Sequence, residues 1–384
     1  MPSGGLYFHI PFCKQACHYC NFHFSTQLKH QGKVLEAMER ELALRAPDAP
    51  FRGLASIYLG GGSPSVLPPE AIEDLLRQSQ HFFEWDTEME ITVELNPDDV
   101  SEEYLHQLIA MGVNRVSLGV QSFLDTDLSQ MNRAHNAQQA WVSLERIQKY
   151  FKNYSLDLIY GIPGQSLSDW QLNLENALTF DPPHLSAYAL TVEPQTVLAQ
   201  QVAQKKVLLL EEEEVKGHFD FLVDTLEAHS YAHYENSNFG KAGYFSVNNT
   251  AYWQGKPYLG IGPSAHSYNG SDRRSWNFSN NHRYVAALSQ GELAQEEELL
   301  SPVDQYNETV MTGLRTQWGV SLEQIEQHLG KTYARYLEEQ ASKHLDLNYL
   351  YWDGDHLKVR KSARFLVDGL AADLFLLNLE DAQS

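Results

Sequence analysis

Between residue 6 and about residue 190, six short β-rich runs alternate with longer stretches of helical periodicity. That alternation constrains the fold more than any other feature, because it builds a parallel sheet covered by helices. The runs are Leu6 to Ile10, Ser56 to Leu59, Glu90 to Leu95, Arg115 to Leu118, Ser155 to Tyr160 and Leu185 to Leu190. Helices are expected between them, for example over Lys33 to Arg45 and over Pro69 to Phe83, where a first-turn proline is tolerated. Each connection is long enough for a right-handed βαβ crossover. Six such units predict an α/β fold, a partial (β/α)6 TIM-like barrel with reactive groups on the loops after strand C-termini. An open doubly wound sheet is the alternative.

After Pro194 the alternation weakens. Residues 1–200 are expected to form the barrel core and residues 201–299 an extension with Gly-rich and aromatic loops, entered through a long helix over Leu208 to His229 that opens on Glu211 to Glu214. Over residues 300–384 the runs SLEQIEQHLG and YARYLEEQASKHL read as two helices. An Asp-Gly hairpin in LYWDGDHLKVR and a helix-like RFLVDGLAADLFLL follow, which predicts a winged-helix-like α+β appendage.

Composition narrows the partners. The chain has 384 residues, 43% of them hydrophobic, and 28 Lys+Arg against 50 Asp+Glu give a net charge of -22. A field of that sign repels phosphate backbones and anionic headgroups, so nucleic acid is not an expected partner. No run reaches the ~20 apolar residues of a bilayer span, and the first residues lack a basic region followed by a long apolar one, so the expectation is a cytoplasmic protein without a transmembrane segment.

All three cysteines fall within eight residues, Cys13, Cys17 and Cys20 in a C-x3-C-x2-C spacing directly after the first expected strand. Three thiolates in one loop can wrap a [4Fe-4S] cluster and leave one iron free for an exogenous ligand. A cluster that only shuttled electrons would call for a fourth cysteine, which the chain lacks. The competing reading is a structural zinc site completed by His9, His18 or His23. It ranks lower, because zinc motifs pin two separated pairs of ligands, whereas three ligands in one short loop pin little.

The run YFHIPFCKQACHYCNF resembles the signature of the radical S-adenosylmethionine superfamily and, more narrowly, that of the oxygen-independent coproporphyrinogen III oxidase group, through nearly the whole chain. The resemblance implies a [4Fe-4S] cluster held by Cys13, Cys17 and Cys20, with S-adenosyl-L-methionine chelated at the open iron. It also implies an electron donor and one-electron cleavage of the sulfonium, for which the protein positions, orients and excludes water. Family landmarks follow in order on successive strand ends. Tyr7 matches a tyrosine on the S-adenosylmethionine side of the pocket. Gly60, Gly61 and Gly62 in YLGGGSPS allow close backbone approach to the methionine ammonium. Glu94 in VELNPDD matches a carboxylate that contacts the same cofactor. Gln121 and Arg133 match groups on its nucleoside and carboxylate ends. Asp157 and Ala189 match positions near the ribose and the adenine.

Within the group, the oxidases carry a further cysteine two positions after the last cluster cysteine, where this chain has Phe22. HYENSNFGKAG, YLGIGPSAHS and YNETVMTGLRTQWGVSL resemble segments of the heme-chaperone branch, which implies heme as cargo and a heme-acceptor protein. An oxidase-like enzyme of porphyrin biosynthesis is the alternative. A His-Asn-x-x-Tyr motif accompanies heme binding in that branch. Here SVNNTAYW places Asn248 at the histidine, followed by Asn249 and Tyr252. An amide is a poor iron ligand beside imidazole or phenolate, which leaves Tyr252 as the strong donor of the motif. His266 in GPSAHS is a further candidate for the heme site. Tyr244, Phe245, Tyr252, Trp253 and Trp276 could line a porphyrin or simply pack under a loop.

Overall fold

The computed structural model describes residues 3–377. Residues 1–2 and 378–384, the outer ends of the first and last expected segments, lie outside the described residues. All six expected strands form: β1 (Gly4–Ile10), β2 (Gly53–Gly61), β3 (Glu84–Leu95), β4 (Arg115–Gln121), β5 (Tyr154–Tyr160) and β6 (His184–Ala189). They pair in sequence order and all in parallel. The expected (β/α)6 arc is therefore present.

Its two faces are sorted by the period-2 alternation of a strand. On one face, Leu6, Phe8, Ile10, Ile57, Leu59, Val93, Leu118, Leu156 and Leu185 are buried under the helices. On the other face, Tyr7, Ser56, Tyr58, Glu94, Arg115, Ser117, Asp157 and His184 point into the arc. A hydrophobic outer layer thus frees the interior for polar chemistry.

Residues 201–299 add strands at both edges of this sheet. Strands β7 (Ala232–Glu235) and β8 (Asn238–Gly240) continue it beyond β6, antiparallel. At the opposite edge, β9 (Tyr258–Ile261) lies parallel to β1 and is followed by β10 (His266–Tyr268), β11 (Arg273–Asn277) and β12 (Gln295–Leu299), which completes one twelve-stranded sheet. The long helix expected from Leu208 begins at Glu212, because Glu211 N–H donates to the Glu214 carboxylate at 3.0 Å and closes a capping box one turn later than the apolar pattern suggests.

After residue 300 a second core gathers Tyr306, Val310, Leu337, Leu357 and Leu370. It is built from the helix Pro302–Leu314, strand β13 (Val320–Ser321), helices Leu322–Leu329 and Lys331–Asp346, and the hairpin β14 (Leu350–Asp353) and β15 (His356–Val359). The sheet order is β13-β15-β14. The last expected helix divides into a 3-10 turn, Lys361–Leu366, and a short α-helix, Val367–Asp373.

Candidate functional site

The cysteine loop leaves β1 at the C-terminal end of the arc and is clamped on two sides. Cys13 N–H donates to Ser25 O at 3.1 Å, while His18 N–H donates to Met131 O at 3.1 Å. Gln15 Nε2 donates to Asn132 O at 2.9 Å, and Asn132 Nδ2 returns a bond to Ala16 O at 2.7 Å. Lys14 is ion-paired with Asp98 and Asp99 after β3. The loop is therefore positioned by the ends of β1, β3 and β4 together.

Cys13, Cys17 and Cys20 face one cavity of about 650 Å3. Gly61, Gly62, Glu94, Gln121, Arg133, Asp157 and Ala189 line the same cavity. Gly60 and Tyr7 lie just beneath it. A Cβ on Gly60 would stand 2.8 Å from Glu94 Oε1. Tyr7 is raised well above its ordinary pKa by burial and then by the Glu94 carboxylate.

Each polar group is held in a defined orientation. Gly62 N–H donates to Ile10 O at 2.9 Å, and a Cβ there would sit 2.6 Å from Phe12 O, so only glycine lets the two loops meet. Glu94 accepts from Tyr58 Oη at 2.8 Å and from Gly61 N–H at 3.2 Å, yet burial pushes its carboxyl up to about 7. Asp157 accepts from Ser117 Oγ at 3.0 Å and Ser155 Oγ at 3.2 Å, with burial raising its pKa and these bonds opposing the rise. Gln121 ends β4 with φ of 65°, a left-handed conformation that costs a non-glycine residue strain and turns its side chain into the cavity wall.

His9 fixes Tyr7. Its Nε2 faces His23 O at 2.9 Å, and a carbonyl only accepts, so Nε2 carries the proton. Burial lowers His9 to about 4, so Nδ1 is bare and accepts from Tyr7 Oη at 3.2 Å.

Arg133 Nη2 donates to Asn96 Oδ1 at 2.8 Å and to Gly119 O at 3.0 Å, and Nη1 lies 3.4 Å from both Cys17 Sγ and Tyr19 Oη. Its Nε is buried without a hydrogen-bond partner. An orphaned guanidinium N–H costs free energy until an acceptor reaches it, and a carboxylate ligand would supply one. The donor set fits a cluster as well. Three cysteine sulfurs of one loop line the same cavity, the donor set that suits an iron-sulfur cluster with one open corner. Burial pushes Cys13 up to about 11 and raises Cys20, so both sulfurs hold their protons unless a cationic centre displaces them.

Three residues that line the cavity, Ser63, Asn96 and Ser117, and one outside its lining, Tyr58, are not among the residues the sequence singles out. Each bonds a group that is: Tyr58 bonds Glu94, Ser63 reaches Cys13 Sγ at 3.7 Å, Asn96 receives Arg133, and Ser117 bonds Asp157. The available signal was strand alternation, since Tyr58 is two residues before Gly60 and shares its face.

None of Asn248, Asn249, Tyr252 or His266 lines this cavity. Asn248 opens the helix Val247–Trp253, is 2% exposed, and faces Ser56 Oγ at 3.3 Å across the floor of the arc. The Glu90 carboxylate accepts the N–H groups of Val247 and Asn248. Tyr252 packs against Tyr258, ring centroids 4.4 Å apart, whereas His266 is exposed on β10 beside Trp276. Asn248 and Tyr252 are hydrogen-bonded to one another outside the lining of the cysteine cavity.

Comparison with known proteins gives this geometry a family. Residues 7–175 match the radical SAM superfamily, and residues 300–366 match the HemN C-terminal domain. The heme chaperone HemW of Lactococcus lactis subsp. lactis (strain IL1403) is 34% identical over 348 residues, 90% of each chain. That of Bacillus subtilis (strain 168) is 34% identical over 330 residues, 85% of this chain and 87% of its own. Among solved structures, Escherichia coli coproporphyrinogen III oxidase HemN, a radical SAM enzyme, superposes with a TM-score of 0.84 at 23% identity, covering 98% of this chain and 91% of its own, a likeness of fold. With its cysteine loop, polar barrel interior and near full-length similarity to those chaperones, the chain belongs to the heme chaperone HemW family of radical SAM proteins.

Proposed function

We propose that this protein holds a [4Fe-4S] cluster on Cys13, Cys17 and Cys20, binds S-adenosyl-L-methionine beside it, and binds heme for delivery to an acceptor protein. The observation that carries the cofactor reading is the meeting of the three cysteines with Glu94, Gln121, Arg133 and Asp157 in one cavity. When bound, the cluster and S-adenosylmethionine supply one-electron chemistry, for which an electron donor is needed. The chain's own residues bind and orient. Arg133 offers its unpartnered Nε to the ligand carboxylate. The Gly60–Gly62 turn gives close main-chain approach for the ammonium. Glu94 and Asp157 receive donors from the ammonium or the ribose, and Gln121 and Ala189 bound the nucleoside end. Tyr7, outside the cavity lining, is held by His9.

The heme reading rests on the name that the relatives carry, at 34% identity over 90% of the chain, and on Phe22 standing 67% exposed where the oxidases have a further cysteine. Unpaired thiols and a cluster suit the reducing cytoplasm. No helix among the described residues is long and apolar enough to cross a membrane.

Anaerobic reconstitution tests the proposal. Iron and sulfide matching one [4Fe-4S] cluster per chain, lost in Cys17→Ser, together with tight heme binding and no decarboxylation of coproporphyrinogen III, is the expected result. Stoichiometric zinc in a colourless protein overturns the cofactor reading. Formation of protoporphyrinogen overturns the chaperone reading in favour of an oxidase.

A further inference from the structure

A second, smaller cavity of about 160 Å3 lies where the barrel edge meets the C-terminal unit, and nothing above assigns it. It exists because β7 is stitched to the segment after helix Pro302–Leu314: Gln317 N–H donates to Tyr234 O at 3.0 Å, and Glu235 bridges antiparallel to Thr316. Arg315, Lys358 and Arg364 all face this cavity. Their acidic partners do not. Arg315 Nε donates to Asp368 at 2.7 Å, Lys358 Nζ to Asp353 at 2.7 Å and Arg364 Nη1 to Glu227 at 2.9 Å, and none of those carboxylates lines the cavity. Three cations therefore line one space whose wall holds a single carboxylate, Glu235, and a further negative charge there is favoured.

The wall is built rather than incidental. His233 Nε2 faces Asn236 O at 3.1 Å and therefore carries the proton, so Nδ1 accepts from Arg364 Nη1 at 3.0 Å and aims that guanidinium. Burial lowers His233 to about 4, which keeps it neutral in this role. The single carboxylate in the wall, Glu235, is 3% exposed, takes bonds from Asn238 and from Ser237 N–H, and burial favours its uncharged form.

This cavity adjoins the cysteine cavity. Asn236 lines both, and Asp368, the partner of Arg315, lines the larger one together with Tyr188. Tyr188 is 43% exposed, an open aromatic ring in a wall that Ile159, Tyr160 and Leu190 continue. The smaller space is too tight for a macrocycle and roomy for a carboxylate arm.

We infer that the junction cavity is a carboxylate-receiving subsite, and that its ligand is a propionate of a porphyrin whose ring lies along the shared wall over Tyr188. The inference rests on the heme reading above. Heme joins two carboxylate arms to a broad apolar plane, so it needs a cationic socket and an aromatic face within one molecule's reach. Arg315 and Arg364 offer planar donor forks suited to a carboxylate. Asp368, whose side chain is 62% exposed, gives up little when a propionate takes its place on Arg315.

The test compares heme with heme dimethyl ester, in which both propionates are neutral, on the full-length chain. Wild type binds heme at least roughly tenfold more tightly than the ester, the value of one charge-assisted contact. Arg315→Gln and Lys358→Gln each erase most of that preference. Lys361→Gln keeps it, because Lys361 ties the same junction to Asp224 and Glu227 without lining the cavity. Heme and ester binding equally to wild type overturns the subsite while leaving the heme reading intact, and needs no variant to fold. A preference that survives in both cavity variants overturns it as well. Absence of heme binding by wild type brings down the heme reading and this subsite with it. Thermal stabilisation by inorganic phosphate without ester discrimination assigns the cavity to a free anion and overturns the porphyrin assignment.

Discussion

Arg133 Nη1 lies 3.4 Å from Cys17 Sγ, so the guanidinium that closes one end of the cavity also touches a candidate cluster ligand. One side chain thereby links the cysteine loop to Asn96 after β3 and Gly119 in β4. Arg133→Lys removes the planar fork while keeping the charge. Affinity for S-adenosylmethionine is expected to fall more than about tenfold, with iron content largely retained, because an ammonium cannot serve Asn96, Gly119 and a ligand carboxylate together. Calorimetry on the reconstituted protein checks this, and unchanged affinity would remove Arg133 from the binding set.

Glu94 carries a pH signature. Burial raises its carboxyl from 4.5 to about 7, so the folded chain holds this proton over a range where the unfolded chain has released it. The contribution of Glu94 to the stability of the ligand-free protein therefore declines as pH rises from about 4.5 to about 7. Glu94→Gln lacks that decline. Thermal unfolding at pH 5 and pH 8 should show the wild type losing several degrees relative to the variant, and parallel curves would contradict the assignment.

Glycine at position 62 is required by contact. An added Cβ would stand 2.6 Å from Phe12 O and 2.7 Å from Ile10 O, backbone atoms at the end of β1 and in the segment that leads into the cysteine loop. Gly62→Ala is expected to cost about 1–3 kcal/mol and to lower iron incorporation. Gly164→Ala, with φ of 78° and open space around its Cβ, bears backbone strain alone and should incorporate iron normally. Iron analysis with a melting curve of each variant separates the two.

Asn248→His places an imidazole in the floor of the arc, where Asn248 meets Ser56 and where Glu90 holds the start of its helix. The variant is expected to be less stable by about 1–3 kcal/mol, with no new heme absorbance band, because the ring is overpacked rather than presented to a ligand. A stable variant with a shifted heme spectrum would return the motif to the heme site.

What the amino-acid order alone determined is what depends on near neighbours. The six parallel strands follow from a period of two interrupted by helical spacing. The cysteine trio is a local pattern, and Glu94, Arg133 and Asp157 were placed by the family resemblance of the short runs that carry them. Tyr58 and Ser117 stayed hidden, because their value depends on facing Glu94 and Asp157 across neighbouring strands. Tertiary structure alone decided that Tyr258–Ile261 extends the sheet beside β1, far from its chain neighbours in β8. It also decided that Asn248 lies buried beneath the arc, and that Arg315 and Arg364, 49 positions apart, share one cavity with Lys358. The reason is physical: which residues meet across a sheet edge or a unit junction is set by packing and backbone hydrogen bonding between distant segments, and no local period carries that information.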